Sequence, residues 1–366
     1  MDIRVEKLAE LIVNYSSAVR QGDKVLIQGS TLAEPLLKAL YARVLQAGGH
    51  PFVLSALPNT DEIFYRYASD EQLKHVPPPV RLMYETYGVR IVILAEVNTR
   101  ALSNVDPRKI VLNQQARTEL MQIFMRRAAA GELRWTLAPF PTNAMAQDAE
   151  MSLSEYEDFV YGACLPDLND PVGYWRNFSA WQQRIIDWLK DKSYVHITAP
   201  GTDLRLSIAG RTIKNSDGHF NLPDGEIFTG PVEDSAEGYV SFTYPAIYGG
   251  REVAGVRLEF EKGKVVRASA EKNQDFLLKT LDTDAGARYL GEFAIGTSKG
   301  ITRFTREILF DEKIDGSFHL ALGASYPETG GRNESAIHWD MVCDLRKGGE
   351  IHVDGQLLYR DGRFVI

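Results

Sequence analysis

The feature that most constrains this chain is a change of texture near Lys192. Before it, short apolar runs alternate with longer stretches of helical spacing. After it, short runs of alternating polarity follow one another, separated by glycine-rich turns. The first texture builds βαβ units and the second a strand-and-turn fold, so one chain carries two modes of packing. At 366 residues it also exceeds one ordinary core. Two domains are expected, 1–190 and 191–366, with the boundary between about 188 and 194.

In the first half, Lys24–Gln28 (KVLIQ) reads as a strand, and Gly29, Ser30 and Thr31 cap a helix over Ala33–Ala47 that Gly48 and Gly49 stop. Further strands are expected at Pro51–Leu57, Arg90–Val97 and Arg134–Ala138, and helices at Ser152–Leu165 and Tyr174–Lys192. Leu8, Leu11, Ile12, Tyr15 and Val19 fall at helical spacing and predict an amphipathic first helix. The fold class for this half is an α/β domain with a mainly parallel sheet covered on both faces. The turn after the first strand, QGSTLAEP, matches neither GxGxxG nor GxxxxGK[ST]. A Rossmann-type cofactor site is therefore unsupported, and the domain reads as scaffold and substrate wall.

The second half reads as a β-rich α+β domain: YVHITA, DLRLSIAG, GYVSFTY and VAGVRLEFEKGKVVRASA. Val256, Leu258 and Phe260 alternate with Arg257, Glu259 and Glu261. The formal net charge of -8 argues against a nucleic-acid partner. No stretch approaches the roughly 20 apolar residues of a membrane span, and MDIRVEKLAELIVNYSSAV interrupts its apolar residues with charges, unlike a signal peptide. Cys164 and Cys343 cannot form a disulfide framework in a chain this size. Cytosolic thiols, and a cytoplasmic protein, are the simpler expectation.

Four segments of the second half place ligand-type residues in turns or at strand ends. NLPDGEIFTGP carries Glu226 after a Pro-Asp-Gly turn, and LGEFAIG carries Glu292 between two glycines. DEKIDGSFHLALGASYP holds His319 in an apolar alternation, with Tyr326 seven residues later; GGRNESAIHWDM holds His338 and Asp340 two apart. Positions i and i+2 of a strand point the same way, so His338 and Asp340 can serve one metal region. Three carboxylates and two imidazoles exceed one tetrahedral zinc and fit two ions about 3.5–4 Å apart, bridged by a carboxylate and a hydroxide. Taken singly, each has a plainer reading, His319 as a hydrogen-bonded core residue and Glu226 as a turn carboxylate. The His338–Asp340 pair carries more weight, because both side chains must be satisfied on one face of a buried strand. His50, His75, His196 and His352 read as structural or surface residues, His219 as a solvated loop histidine, and Cys343 as a small core hydrophobe.

The segments NLPDGEIFTGP, GEFAIG followed by ILFDEKIDGSFHLALG, GGRNESAIHWDM and GGEIHVDGQLLYRDGRF together resemble the thermophilic metallopeptidase family that includes aminopeptidases T and S. KLAELIVNYSSAVRQGDKVLIQG and FPTNAMAQDAEMSLSEYEDF extend the resemblance into the first half. It implies Glu226, Glu292, His319, His338 and Asp340 as metal ligands, Glu292 as the bridging one, and Tyr326 as a non-ligating active-site tyrosine. It also implies two divalent ions (zinc, cobalt, manganese or magnesium), peptide substrates with a free N-terminus, and a homodimer. The loop between His319 and His338 is shorter here than in longer members, which bears on the substrate cleft.

The reaction that follows is removal of N-terminal amino acids by a hydroxide bridging two metals. Tyr326 would donate to the oxyanion and Glu312 would shuttle a proton, although an exposed Glu312 paired with Lys313 is an equally good reading. A metal-dependent amidase or esterase, or a non-catalytic metal-stabilised binding protein, are the alternatives.

Overall fold

The computed structural model describes residues 2–366. The chain divides into two compact units, Met1–Tyr174 with Gly218–Pro223, and Trp175–Asp217 with Asp224–Ile366. The helix Pro171–Leu189 thus runs largely with the second unit, its Ile185 and Leu189 buried in that unit's core. The texture change near Lys192 marks where strands begin, and the packing divides at the start of the preceding helix.

The first unit is built on four strands, β1 (Lys24–Ser30), β2 (His50–Ala56), β3 (Val89–Leu94) and β4 (Arg134–Pro139). They form one sheet in the order β2-β1-β3-β4, with every pair parallel. Val25, Leu26 and Ile27 are all buried, as strands covered on both faces require. The helix after β1 spans Glu34–Gln46 and buries Leu36, Leu37, Ala39, Leu40 and Val44. The first helix, Ile3–Leu11, continues as a π-helical turn over Ile12–Ser16. The helical run ends at Ser16 and the backbone turns left-handed at Ala18 (φ 43°), so Val19, expected in the helix, lies beyond it. No described helix is long and apolar enough to cross a membrane.

The second unit stacks two antiparallel sheets. Its strands are β5 (Tyr194–Ala199), β6 (Thr202–Ser207), β7 (Lys214–Ser216), β8 (Glu226–Thr229), β9 (Glu237–Ser241), β10 (Ala246–Tyr248), β11 (Arg251–Val253), β12 (Arg257–Glu261), β13 (Lys264–Ser269), β14 (Leu290–Gly296), β15 (Ser317–Gly323), β16 (His338–Asp344), β17 (Glu350–Val353), β18 (Gln356–Arg360) and β19 (Arg363–Phe364). Eight form a sheet in the order β13-β12-β9-β6-β5-β17-β18-β19 and five another in the order β16-β15-β14-β8-β7, with β10 and β11 a separate hairpin. Val195, Ile197, Leu204, Val240, Leu258 and Ile351 of the larger sheet share a core with Ile227, Phe293, Ile295, Phe318, Leu320 and Met341 of the smaller. Period-2 alternation then puts the other residues of β8, β14, β15 and β16 on the opposite face.

Register decides what that face carries. Across β15 and β16, Gly323 lies opposite His338, Ala321 opposite Asp340 and His319 opposite Val342. On the other side of β15, His319 lies opposite Ala294 and Ala321 opposite Glu292. Glu226 lies opposite Gly296, and Phe228 opposite Ala294. Polar side chains are therefore interleaved with Ala294, Gly296, Ala321 and Gly323, which leave room above the sheet.

One irregularity makes this possible. Leu290 pairs with Leu322 in the core, yet Glu292, two residues on, pairs with Ala321 on the opposite face. The bulge at Gly291 absorbs one residue and turns Glu292 out of the core. A Cβ at Gly291 would collide with the carbonyl oxygens of Gly323 and Ala324, so the bulge needs glycine for space. Gly291→Ala is expected to cost about 1–3 kcal/mol of stability by overpacking and to weaken metal binding through displacement of Glu292. Denaturant unfolding, together with metal content per chain, measures both effects.

Candidate metal centre

Glu292 occupies the middle of the polar face. Its Oε1 is 3.8 Å from His319 Nε2 and its Oε2 is 3.2 Å from His338 Nε2. One carboxylate thus faces two imidazoles, one through each oxygen. Glu226 Oε2 approaches His319 Nε2 at 3.4 Å, and Asp340 Oδ1 approaches His338 Nε2 at 3.5 Å. Among the described residues, three groups bring ligand atoms within 4.8 Å of one another: Glu226–Glu292–His319, Glu292–His338–Asp340 and Glu312–His319–Asp340. The five residues singled out in the sequence all fall in these groups. His50, His75, His196, His219 and His352 fall in none, and the His219 ring instead packs on Tyr15 at 4.4 Å.

Both imidazoles are oriented by backbone. His319 Nδ1 lies 2.9 Å from the Glu312 carbonyl oxygen, and His338 Nδ1 lies 2.8 Å from that of Ala324. A carbonyl only accepts, so each Nδ1 carries a proton and donates it, which presents Nε2 to the carboxylates. Such an Nε2 needs a proton or a metal ion between itself and the acids. The buried Glu226 Oε2 and Asp340 Oδ1 have no hydrogen-bond partner among the described residues. Orphaned carboxylate oxygens beside outward-facing Nε2 atoms form a donor set that fits divalent cations with mixed N and O ligation.

The electrostatics carry the same imprint. Burial lowers the basicity of His338 and His319, but the adjoining carboxylates outweigh it and raise them to about 12 and about 9. Burial raises Glu292, yet the two imidazoles facing it outweigh this and hold it at about 2. Glu226 is pushed by burial up to about 8, with the nearby Lys313 opposing the rise. Without ions, protons on the histidines supply the positive charge that the acids require.

Exposure is graded across the site. The His319 side chain is 1% exposed, that of His338 is 26%, and Tyr326 at 40% stands at the mouth. The Tyr326 ring meets His338 edge-on at 5.0 Å and Phe228 at 5.6 Å. Burial, together with the charges of Glu292 and Asp340, pushes its phenol well above the usual tyrosine range. Tyr326 is therefore a neutral donor at physiological pH. Its loop is tied down by Ser325 N–H donating to the Asn333 carbonyl, and by Asn333 Nδ2 donating to those of Gly286 and Gly323.

Two residues gain a larger role than sequence reasoning gave them. Glu312 pairs with Lys313, but away from the open surface: Glu312 is half-buried, with its side chain 16% exposed, and the Lys313 side chain is 0% exposed. Glu312 joins His319 and Asp340, and burial raises its pKa against the pull of Lys313. Phe228 is the other, on the site face two positions after Glu226. The run DEK and the i, i+2 spacing of EIF were the available signals.

The family described as thermophilic metalloprotease (M29) matches residues 1–364. Aminopeptidase 2 of Geobacillus stearothermophilus is 26% identical over 396 residues, covering 98% of this chain and 95% of that protein. Aminopeptidase T of Thermus thermophilus is 27% identical over 398 residues, with 98% and 95% covered. The solved structure of wild-type AmpT from Thermus thermophilus superposes with a TM-score of 0.87 at 24% identity, covering 99% of both chains. That likeness bears out an α/β unit with a parallel sheet joined to a β-rich unit. With a family match from end to end, the chain belongs to the thermophilic metalloprotease (M29) family.

Proposed function

We propose that the protein is a metal-dependent aminopeptidase that removes N-terminal amino acids from peptides at a two-metal centre held by Glu226, Glu292, His319, His338 and Asp340. The observation that carries this reading is Glu292, which faces a different imidazole through each carboxylate oxygen. The names of the relatives supply the substrate class.

When bound, two divalent cations supply Lewis-acid polarisation of the scissile carbonyl and lower the pKa of a water toward neutrality. The protein's own groups do the rest. The carbonyls of Glu312 and Ala324 hold the imidazoles in the ligating tautomer. Tyr326, neutral and at the mouth, donates to the oxygen that gains negative charge as the carbonyl is attacked. Glu312, with its raised pKa, is placed to pass a proton to the leaving amine. Its pairing with the buried Lys313 displaces the reading of it as an exposed surface acid.

Three measurements test this. Glu292→Gln should remove metal and peptidase activity together, whereas Tyr326→Phe should keep full metal content and lose roughly 100- to 1,000-fold in kcat. An active, metal-free Glu292→Gln protein would end the scheme. Amino-acyl p-nitroanilides should be cleaved and their N-acetylated counterparts left intact; equal cleavage favours a general amidase.

The third concerns pH. Ligation requires neutral imidazoles, while His319 and His338 titrate at about 9 and about 12 in the metal-free protein. Metal binding near pH 7.5 should release about two protons or more, read by calorimetry in buffers of different ionisation enthalpy. Both histidine pKa values are raised on folding. Their stabilising contribution is therefore complete below the unfolded value of 6.5 and fades as pH rises through about 9 toward about 12. The metal-free protein should lose stability on the alkaline side, and the loaded protein on the acid side as protons displace metal.

A further inference from the structure

We infer that Lys313 is a resident cation that makes the ion positions of this centre unequal, so that the Glu292–His338–Asp340 group fills first and the groups sharing His319 fill second. The inference rests on the proposed metal centre and concerns how its ions are held.

The Lys313 side chain is fully buried, with Nζ 3.6 Å from Glu226 Oε1 and in an ion pair with Glu312. Its backbone is fixed on both sides: its N–H donates to the Phe310 carbonyl and its carbonyl accepts from Ser298 N–H, each at 3.0 Å. The fixed backbone, between the short helix Ile308–Asp311 and β15, and the full burial of the side chain hold the ammonium beside these two acids.

Its partners are distributed unevenly over the centre. Glu226 belongs to the group with Glu292 and His319, and Glu312 to the group with His319 and Asp340. Each His319 group thus contains one carboxylate already engaged by an ammonium. An ion held by Glu226, Glu292 and His319 shares Glu226 with the ammonium and meets a like charge at short range, where burial makes repulsion strong. The Glu292–His338–Asp340 group contains neither Lys313 partner, and its Asp340 Oδ1 has no hydrogen-bond partner among the described residues. It also lies on the more open side, since the His338 side chain is 26% exposed and that of His319 is 1%. Electrostatics and access point the same way.

Lys313 is a positioning residue in this account, because it acts through Glu226 and Glu312. It also stabilises the metal-free centre: the buried Glu226 and half-buried Glu312 are costly without a counter-ion, and Lys313 supplies it there as the protonated histidines do for Glu292 and Asp340.

The test is a Co2+ titration of the metal-free, full-length protein, followed by calorimetry and visible absorption. Wild type should show two resolved steps. Lys313→Met should tighten the weaker step roughly tenfold or more, leaving the stronger within about twofold and narrowing the gap. Lys313→Gln should do the same where Met is not tolerated, and Lys313→Arg should preserve the wild-type spacing. Metal-free Lys313→Met should also melt below wild type, with Co2+ restoring more of the loss than wild type gains. Equal affinities in the wild type, an unchanged gap in both neutral variants, or weakening of both steps would overturn the inference. Failure of wild type to bind Co2+ at all would instead remove the metal centre itself.

Discussion

Two imidazoles whose Nε2 atoms face only carboxylates cannot exist as a neutral, dry cluster, and the second unit is organised around that fact. His319 and His338 give their Nδ1 protons to backbone carbonyls, so neither ring can turn to relieve the other side. Glu292 must then meet both rings from one strand, which a regular β14 could not achieve. An unbroken register from Leu290 onward would pair Glu292 with a core residue of β15, and the bulge at Gly291 prevents it. The small residues Ala294, Gly296, Ala321 and Gly323 complete the arrangement by leaving space between the acids. Apart from the Lys313 ammonium beside Glu226, positive charge has to enter that space as protons or as metal ions.

The sequence made visible what depends on local pattern. Parallel strands at Lys24, Pro51, Arg90 and Arg134 announced themselves as apolar runs between helical segments, and each falls in a strand of the sheet. The β-rich second unit followed from alternation such as that of Val256, Leu258 and Phe260, whose three side chains are buried. The spacing of His338 and Asp340 placed both on one face because a strand has a period of two. Reading the ligand residues as one set rested on several linked motifs, for no single histidine or glutamate identifies a metal ligand.

What stayed hidden depends on contacts distant in sequence. Nothing in LGEFAIG distinguishes a bulged glycine from an ordinary one, since the colliding oxygens belong to Gly323 and Ala324. A Glu–Lys pair in DEK has the look of a solvated surface. Its burial comes from the chain folding Lys313 toward Glu226, 87 positions away in sequence. The boundary near Lys192 marked a change of secondary structure, whereas compactness follows burial, and Ile185 and Leu189 are buried with the strands that succeed them. Gly218–Pro223 belongs to the first unit even though both flanking segments belong to the second. Its bridge from Asn221 to Leu137 is a pairing no local signal announces.

The net charge of the cluster shows why a buried lysine beside a metal centre is not a defect. With both imidazoles neutral, Glu226, Glu292, Glu312 and Asp340 give the ligand groups four negative charges when ionised, and a further buried acid, Asp224, also acts on the Lys313 ammonium. Lys313 offsets part of this charge at Glu226 and Glu312. Burial penalises uncompensated charge, so the ammonium lessens the gain from an ion entering beside Glu226 and leaves the gain beside His338 and Asp340 largely intact. On the inference above, strong retention of one ion and easier exchange of the other would follow from one ammonium, without any difference in the kind of ligand. Across the proposed centre, the mixed N and O donors suit divalent cations, and on the inference above the placement of Lys313 would set how firmly a second ion is held.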